Sequence, residues 1–380
     1  MNKAVVFLLL ISVWSCKQPK KEGVSTVSES QNVQIDHASG FNIKQFSKFT
    51  VMEISSPWPN SETNFTYALV PKENLATISL NKDEYDAIVG VPVDRMVVTS
   101  TTHIPALEAL GVTEKLVGFP DTQYISSPAT RKRIDAGLIR DLGKNESLNS
   151  EMVIAINPDV VIGFSINNEN KAYETIQRSN IPVAYNGDWT EGTPLGKAEW
   201  IKFFAPFFKK EAKADSIFSS IANNYHNAKE LAAKAKKTPT VLSGALYKDI
   251  WYLPGGKSWA AQFITDANAD YLWKDTTASG SLSLSLESVL EKGYDADFWV
   301  SPSQYGSYNE LEEANRHYTQ FAPFKSKNIY TYANSKGPTG GLLYFELAPS
   351  RPDLVLKDLI HIFHPELLPN HNPTFFKPLN

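Results

Sequence analysis

An α/β protein of two lobes, each with a mainly parallel sheet, joined by one long rigid helix, is what this sequence predicts. Three observations carry the expectation. Short hydrophobic runs alternate with amphipathic helical stretches on both sides of the chain's middle. Between Pro194 and Lys237 the strand signals vanish in favour of helical periodicity. One local motif occurs twice, once on each side of that helical stretch. Strand–helix–strand repetition with short connections implies parallel strands with helices on both faces.

The chain begins like a leader. Lys3 supplies a short positive region, and Ala4 to Val13 form an apolar core too short to span a bilayer as a helix. The run ends at Cys16, the single cysteine of 380 residues. A lone cysteine there, after a small residue, is similar to a bacterial lipoprotein signal. The expectation is a signal peptide over 1–15, lipidation of Cys16, and a flexible polar tether over 16–48. One cysteine excludes intramolecular disulfides, so the exported body must hold together by packing. No later segment approaches 18 uninterrupted apolar residues, which leaves lipid as the expected anchor.

Composition is that of a globular protein, 42% hydrophobic and 21% charged, with a net charge of −4. An acidic balance without a Lys/Arg patch argues against a nucleic-acid partner. Aromatic content is high, with 8 Trp, 16 Tyr and 20 Phe, and such side chains suit both cores and the walls of a ligand cleft.

Residues 49–92 carry β-like runs such as "NFTYALVPKE" and "AIVGVPVDR" and read as an N-terminal β-rich extension. From 93 to 193 the pattern becomes α/β: strand "MVVTS", helix "HIPALEALG" stopped by Gly111, strand "KLVGFP", helix "ATRKRIDAG", then "DVVIGFS", "NENKAYETIQRS" and "IPVAYN". The connector, 194–237, holds a helix of about 26 residues, about 39 Å at the usual rise. Alternation resumes over 238–365 with "TVLSGAL", "DIWYLPG", "SWAAQFITDA", "ADFWVS", "NIYTYA" and "PDLVLKDLIHIF", and 366–380 is a tail.

The repeated motif is Glu151–Val153–Ile154–Asp159 in "SLNSEMVIAINPDVVIGFS" and Glu287–Val289–Leu290–Asp295 in "SLSLESVLEKGYDADFWVS". Asn149 and Ser285 are N-cap residue types placed so that each Glu is the second residue of a helix. Helix-start electrostatics accounts for an acid at either site. It does not account for the same register in both lobes, which two matched acids on similarly oriented rims would explain.

At this point the chain resembles the single-long-helix class of bacterial ABC-transporter substrate-binding proteins, those delivering ferric siderophores, haem and vitamin B12. The residues that carry the resemblance are "LEALGVTEKLVGFPDTQYI", "DLGKNESLNSEMVIAINPDVVIG", "PGGKSWAAQFITDANADYLW", "LSLESVLEKGYDADFWV" and "SRPDLVLKDLIHIFHP", from Arg95 to about Pro365. The resemblance implies that Glu151 and Glu287 dock onto arginines of the two permease subunits of an ABC importer. It also implies a small-molecule ligand: an iron chelate, haem or a corrinoid. The extension over 49–92 departs from the pattern.

In a two-lobe clamp the ligand lies on loops at strand C-terminal ends. The strand map makes Thr102, His103, Tyr124, Phe164 and Trp189 candidates in the first lobe. Trp251, Lys257, Trp259, Tyr305, Tyr344 and Arg351 are candidates in the second. Aromatics would stack on a flat or cyclic ligand, and Lys257 and Arg351 could meet an anionic chelate. No resident cofactor or metal site is expected, because His103 and the i, i+3 pair His361/His364 have no third ligand at a recognisable spacing. The expectation is a binding protein and not an enzyme: no Gly-x-Ser-x-Gly elbow, His-Glu-x-x-His or Rossmann fingerprint is present. A secreted α/β enzyme or sensory domain acting on a small molecule in the same cleft is the alternative.

Overall fold

A computed structural model describes residues 30–380 except Asn168. The leader, Cys16 and the first part of the tether lie outside the described residues. The chain from Gln31 onward is already structured. Strands β1 (Gln31–Asn32), β2 (Phe41–Gln45), β3 (Thr50–Ser55), β4 (Asn64–Pro71) and β5 (Ala87–Val91) form one sheet in that order, antiparallel until the parallel β4–β5 pair. Residues 31–48, expected as tether, thus join the extension in one sheet.

Two buried carboxylates explain why this N-terminal stretch is held. Glu199 accepts the backbone N–H groups of Asp36, His37 and Ala38 at 2.7–3.1 Å, with the Lys202 ammonium 3.0 Å away. Glu191 accepts Ser39 N–H, Gly40 N–H and the Trp200 indole N–H. Both are almost inaccessible to solvent, where charge-assisted hydrogen bonds are strong and an unpaired carboxylate would be costly.

The first α/β lobe follows. Its strands are β6 (Met96–Val98), β7 (Leu116–Phe119), β8 (Arg140–Asp141), β9 (Val160–Gly163) and β10 (Val183–Tyr185), all parallel in the order β10-β9-β6-β7-β8. Helices α1 (His103–Leu110), α2 (Pro128–Asp135), α3 (Ser150–Ile156) and α4 (Lys171–Arg178) connect them. Gly111 ends α1 at φ +71°, the left-handed stop anticipated from sequence. Phe41, Ile43, Met52 and Leu69 of the extension share one core with Met96, Val98 and Ile162 of the lobe.

The connector begins with α5 (Pro194–Glu199) and α6 (Ile201–Phe204), both buried, before α7 (Glu211–Ala232). Its 22 residues span about 33 Å, somewhat less than the sequence pattern suggested. One face of α7 serves both lobes. Ala214, Phe218 and Ile221 enter the core of the first, while Tyr225, Ala228 and Ala232 enter the core of the second.

The second lobe has the sheet order β14-β11-β16-β17-β18, built from β11 (Thr240–Ser243), β14 (Asp270–Tyr271), β16 (Phe298–Val300), β17 (Ile329–Thr331) and β18 (Lys377–Pro378). All pairs are parallel except the last. The run "TVLSGAL" is two strands, not one. Gly244 sits at φ +81°, where an added Cβ would lie 2.0 Å from the Tyr252 carbonyl oxygen. The chain turns there into β12 (Ala245–Tyr247), which pairs with β13 (Ile250–Pro254) and then β15 (Ser281–Leu284) in a small antiparallel sheet. Helices α8 (Trp259–Asp266), α9 (Leu286–Gly293), α10 (Tyr308–Ala314), α11 (Ala322–Lys325), α12 (Leu343–Leu347) and α13 (Pro352–Phe363) complete the lobe. The tail packs onto it: the buried Asp358 carboxylate accepts the N–H groups of Thr374, Phe375 and Phe376. Among the described residues no helix is long and apolar enough to cross a membrane.

Candidate functional site

The repeated motif has the geometry its local sequence dictates. Asn149 and Ser285 cap α3 and α9, their side-chain oxygens accepting the N–H groups of Met152 and Ser288. Glu151 and Glu287 are each the second helical residue and exposed, while Val153 and Val289 are buried beneath them. Its own backbone N–H and the Ser285 hydroxyl hold the Glu287 carboxyl below its usual range, so it is ionised at neutral pH. The match between Asp159 and Asp295 does not extend to three dimensions. Asp295 stops short of β16, and the residue directly before that strand, the counterpart of Asp159 before β9, is Asp297.

Between the lobes lies a cavity of about 710 Å³. Nine aromatic side chains stand among its lining residues. Trp189 comes from the turn after β10; Tyr247 and Tyr252 come from the β12–β13 hairpin; Trp259, Tyr344 and Tyr332 form a stacked column. In that column the ring centroids are 5.8 Å apart for Trp259–Tyr344 and 4.8 Å for Tyr344–Tyr332. Packing of this kind holds the rings rigid before a ligand arrives. Ser243, Ser258 and Ser301 add hydroxyls to the wall. A second cavity of about 420 Å³ adjoins it through Phe345 and is lined by Thr101, Asp121, Tyr124 and Phe164 of the first lobe and Gln304 of the second.

Lys197 fastens the floor. Its ammonium donates to the carbonyls of Asp188 and Trp189 at 3.0 Å each and sits 5.2 Å from the centroid of the Trp259 ring. One buried cation therefore ties the first-lobe tryptophan to the second-lobe one. Burial pushes its pKa down, with Asp188 and Glu191 opposing the shift.

On the α2 side the lobes touch directly. Glu346 of α12 accepts Ser126 N–H at 2.5 Å and Ser127 N–H at 3.0 Å. Ser126 Oγ donates to Gly341 O at 3.0 Å and Thr339 Oγ1 to Gln123 O at 2.6 Å. Gly341 presses so close to the Tyr124 carbonyl that a Cβ would lie 2.4 Å away. Burial pushes the Glu346 carboxyl up to about 7, against the pull of the two N–H groups and with the help of Glu108.

Five of the sequence-chosen ligand residues therefore line the cleft: Tyr124, Phe164, Trp189, Trp259 and Tyr344. The others do not. Thr102 bonds to Ser100 beside the cleft without lining either cavity. His103 is fully buried against the Phe204 ring at 5.3 Å, and burial lowers its pKa to about 4. As the first residue of α1 it turns into the core instead of towards the loop. Trp251 is wholly inside the second lobe, stacked on Trp299 and bonded to Ser243 O, because β13 points alternate side chains to opposite faces. Lys257 is exposed next to the cleft but outside its lining. Tyr305 packs against Tyr318. Arg351 makes a two-pronged pair with Asp353 at 2.8 Å and borders a separate cavity of about 610 Å³ between α1 and α7. Its cation at a helix start is thus neutralised internally.

Tyr247, Tyr332, Phe345 and Glu346 were not singled out from sequence. Tyr332 and Phe345 follow strand β17 and begin α12, so the rule that placed Tyr344 could have found them. Among the described residues no group of three or more His, Cys, Asp or Glu could hold a metal ion.

Two α/β lobes, a shared long helix and an aromatic cleft between them define a two-lobe clamp for a small molecule. Residues 96–335 match the periplasmic binding protein family model, and the chain belongs to that family. An uncharacterized lipoprotein of Methanocaldococcus jannaschii is 28% identical over 302 residues, which are 77% of this chain and 70% of that one. The solved periplasmic haem-binding protein HutB of Vibrio cholerae is similar in fold with a TM-score of 0.56 at 18% identity, covering 72% of this chain and 100% of that one. A solved protein of the ABC-type Fe3+-hydroxamate transport system of Saccharomonospora viridis has a TM-score of 0.54 at 16% identity, covering 72% of this chain and 94% of that one.

Proposed function

We propose that this protein is the lipid-anchored substrate-binding component of an ABC importer, capturing a ring-bearing metal chelate or macrocycle in the interlobe cleft. The ligand class is ferric siderophore, haem or cobalamin. The observation that carries this reading is the wall of the larger cavity, where Trp189 of one lobe and the Trp259–Tyr344–Tyr332 column of the other border a single space. Rings offer broad apolar contact to a flat or cyclic ligand, and the serine hydroxyls supply orientation. Export with a lipid at Cys16 is supported by the leader pattern and by the lipoprotein relative.

Glu151 and Glu287 are the contacts to the two permease subunits. Their support is positional: each is exposed at the same place of the first helical turn, one in each lobe. The test is a titration of the purified chain with hemin, cyanocobalamin and ferrioxamine B, followed by tryptophan fluorescence and visible absorbance. Saturable binding of one probe, at micromolar affinity or better, supports the reading, and no binding of any probe removes it. In cells, Glu151→Ala/Glu287→Ala should abolish uptake and leave the affinity unchanged. Normal uptake would sink the docking role.

A further inference from the structure

The larger cavity has a wall that comes from outside the family frame. Pro59 and Asn60, on the loop between β3 and β4 of the N-terminal sheet, line it together with Trp189 and the second-lobe aromatics. Both residues are exposed. The matched family region starts at residue 96, so this loop is an addition to it.

The loop is seated, not draped. Trp58 is buried and meets Tyr185 edge-to-face at 5.4 Å and Phe65 at 5.9 Å. Gly187 lies close under Pro57, where a Cβ would be 3.0 Å from the Pro57 Cα. Gly187 opens the short turn that carries Trp189, so the loop rests on the segment that presents the first lobe's cleft tryptophan. Ser56 Oγ donates to Ser61 O at 2.9 Å, and Ser61 N–H donates to Trp58 O at 3.2 Å, bracing the tip from within. The sheet behind the loop is part of the first lobe's core. A wall held this way moves with its lobe and sets the width of the cleft at that end.

We propose that the Ser56–Thr63 loop is a specificity element: Pro59 and Asn60 form a fixed wall that selects among ligands by the size and shape of the part that reaches it. This rests on the cleft being the binding site. Asn60 has φ +60°, a backbone that glycine adopts freely, so Asn60→Gly removes the side chain without strain. The experiment compares wild type, Pro59→Ala/Asn60→Gly and the same-loop control Glu62→Ala, each titrated with hemin, cyanocobalamin and ferrioxamine B, with the thermal midpoint recorded. The expected result is a change of about tenfold or more in the ratio of affinities between probes for the double variant alone, with its midpoint lowered only slightly, as loss of a proline and gain of a glycine loosen the unfolded chain. An unchanged ratio, or an equal change in Glu62→Ala, overturns the specificity role while leaving cleft binding intact. Wild-type protein that binds no probe overturns the cleft reading, and this role with it.

Discussion

Asp159 and Asp297 hold the same post in the two lobes. Each is the residue before an interior strand, β9 or β16. Asp159 accepts the N–H groups of Asp94 and Arg95 ahead of β6, and Asp297 accepts the N–H and hydroxyl of Thr240 at the start of β11. Each also returns its own N–H, to Arg95 O at 2.8 Å and to Thr240 O at 3.1 Å. The two lobes thus repeat a strand-joining clasp as well as a helix start, and the clasp and the rim acids have separable jobs.

That separation is testable by stability. Asp297→Ala and Asp159→Ala should each lower unfolding stability by about 1 kcal/mol, from lost hydrogen bonds to backbone at sites open to solvent. Glu151→Ala and Glu287→Ala should change it distinctly less, as surface substitutions do. Urea denaturation of the four variants measures both. Equal losses for all four would show the rim acids to be structural.

The two tryptophans of the β13–α8 region should also part company. Trp259→Ala removes a cleft wall and should weaken ligand binding by about 2 kcal/mol, roughly 30-fold, with a smaller loss of stability than Trp251→Ala because its ring is only partly buried. Trp251→Ala empties the second lobe's core and should cost about 3–5 kcal/mol of stability. Titration and denaturation of both variants check this, and a Trp251→Ala protein of wild-type stability would contradict the assignment.

Glu346 makes the lobe contact pH-dependent. Its carboxyl is raised from an ordinary 4.5 to about 7, so the folded state favours the protonated form. The stabilising contribution is full below about pH 4.5 and is lost as pH rises through about 7. Thermal midpoints between pH 5 and pH 8 should fall more for wild type than for Glu346→Gln, which cannot ionise. Parallel curves for the two proteins would remove Glu346 as the source.

The lobes should move little on binding. They share α7, the buried Lys197 bridge and the Glu346–Ser126/Ser127 contact, and such a frame favours rotations of a few degrees over a wide hinge. Small-angle scattering with and without bound probe should give nearly the same radius of gyration. A large compaction would mean that these contacts break.

What could be read from the residues was local or periodic. Caps, helix starts and the Gly111 stop are decided within one turn of chain, and the Glu151/Glu287 geometry followed from them. Spacing pairs Asp295 with Asp159, whereas the fold pairs Asp297 with it, because α9 and its exit are longer than α3 and its exit. His103, Trp251 and Arg351 lie near the right strand ends, but whether a side chain turns to the cleft or the core depends on packing from distant segments. The wall at Pro59 and Asn60 was beyond local reading altogether, since Gly187 and Tyr185, on which it rests, are far away in the chain. The sheet over 31–48 was hidden for the same reason: Glu191 and Glu199 supply the partners that its polar sequence lacks.

The central claim is that a ring-bearing ligand lies between the lobes. A crystal structure of the chain soaked with whichever of hemin, cyanocobalamin or ferrioxamine B it binds tests this most directly. Density is expected in the larger cavity, in contact with Trp189 and Trp259 and bounded by Pro59 and Asn60. Density in the cavity beside Arg351 or on the outer surface, with the cleft empty, would contradict it.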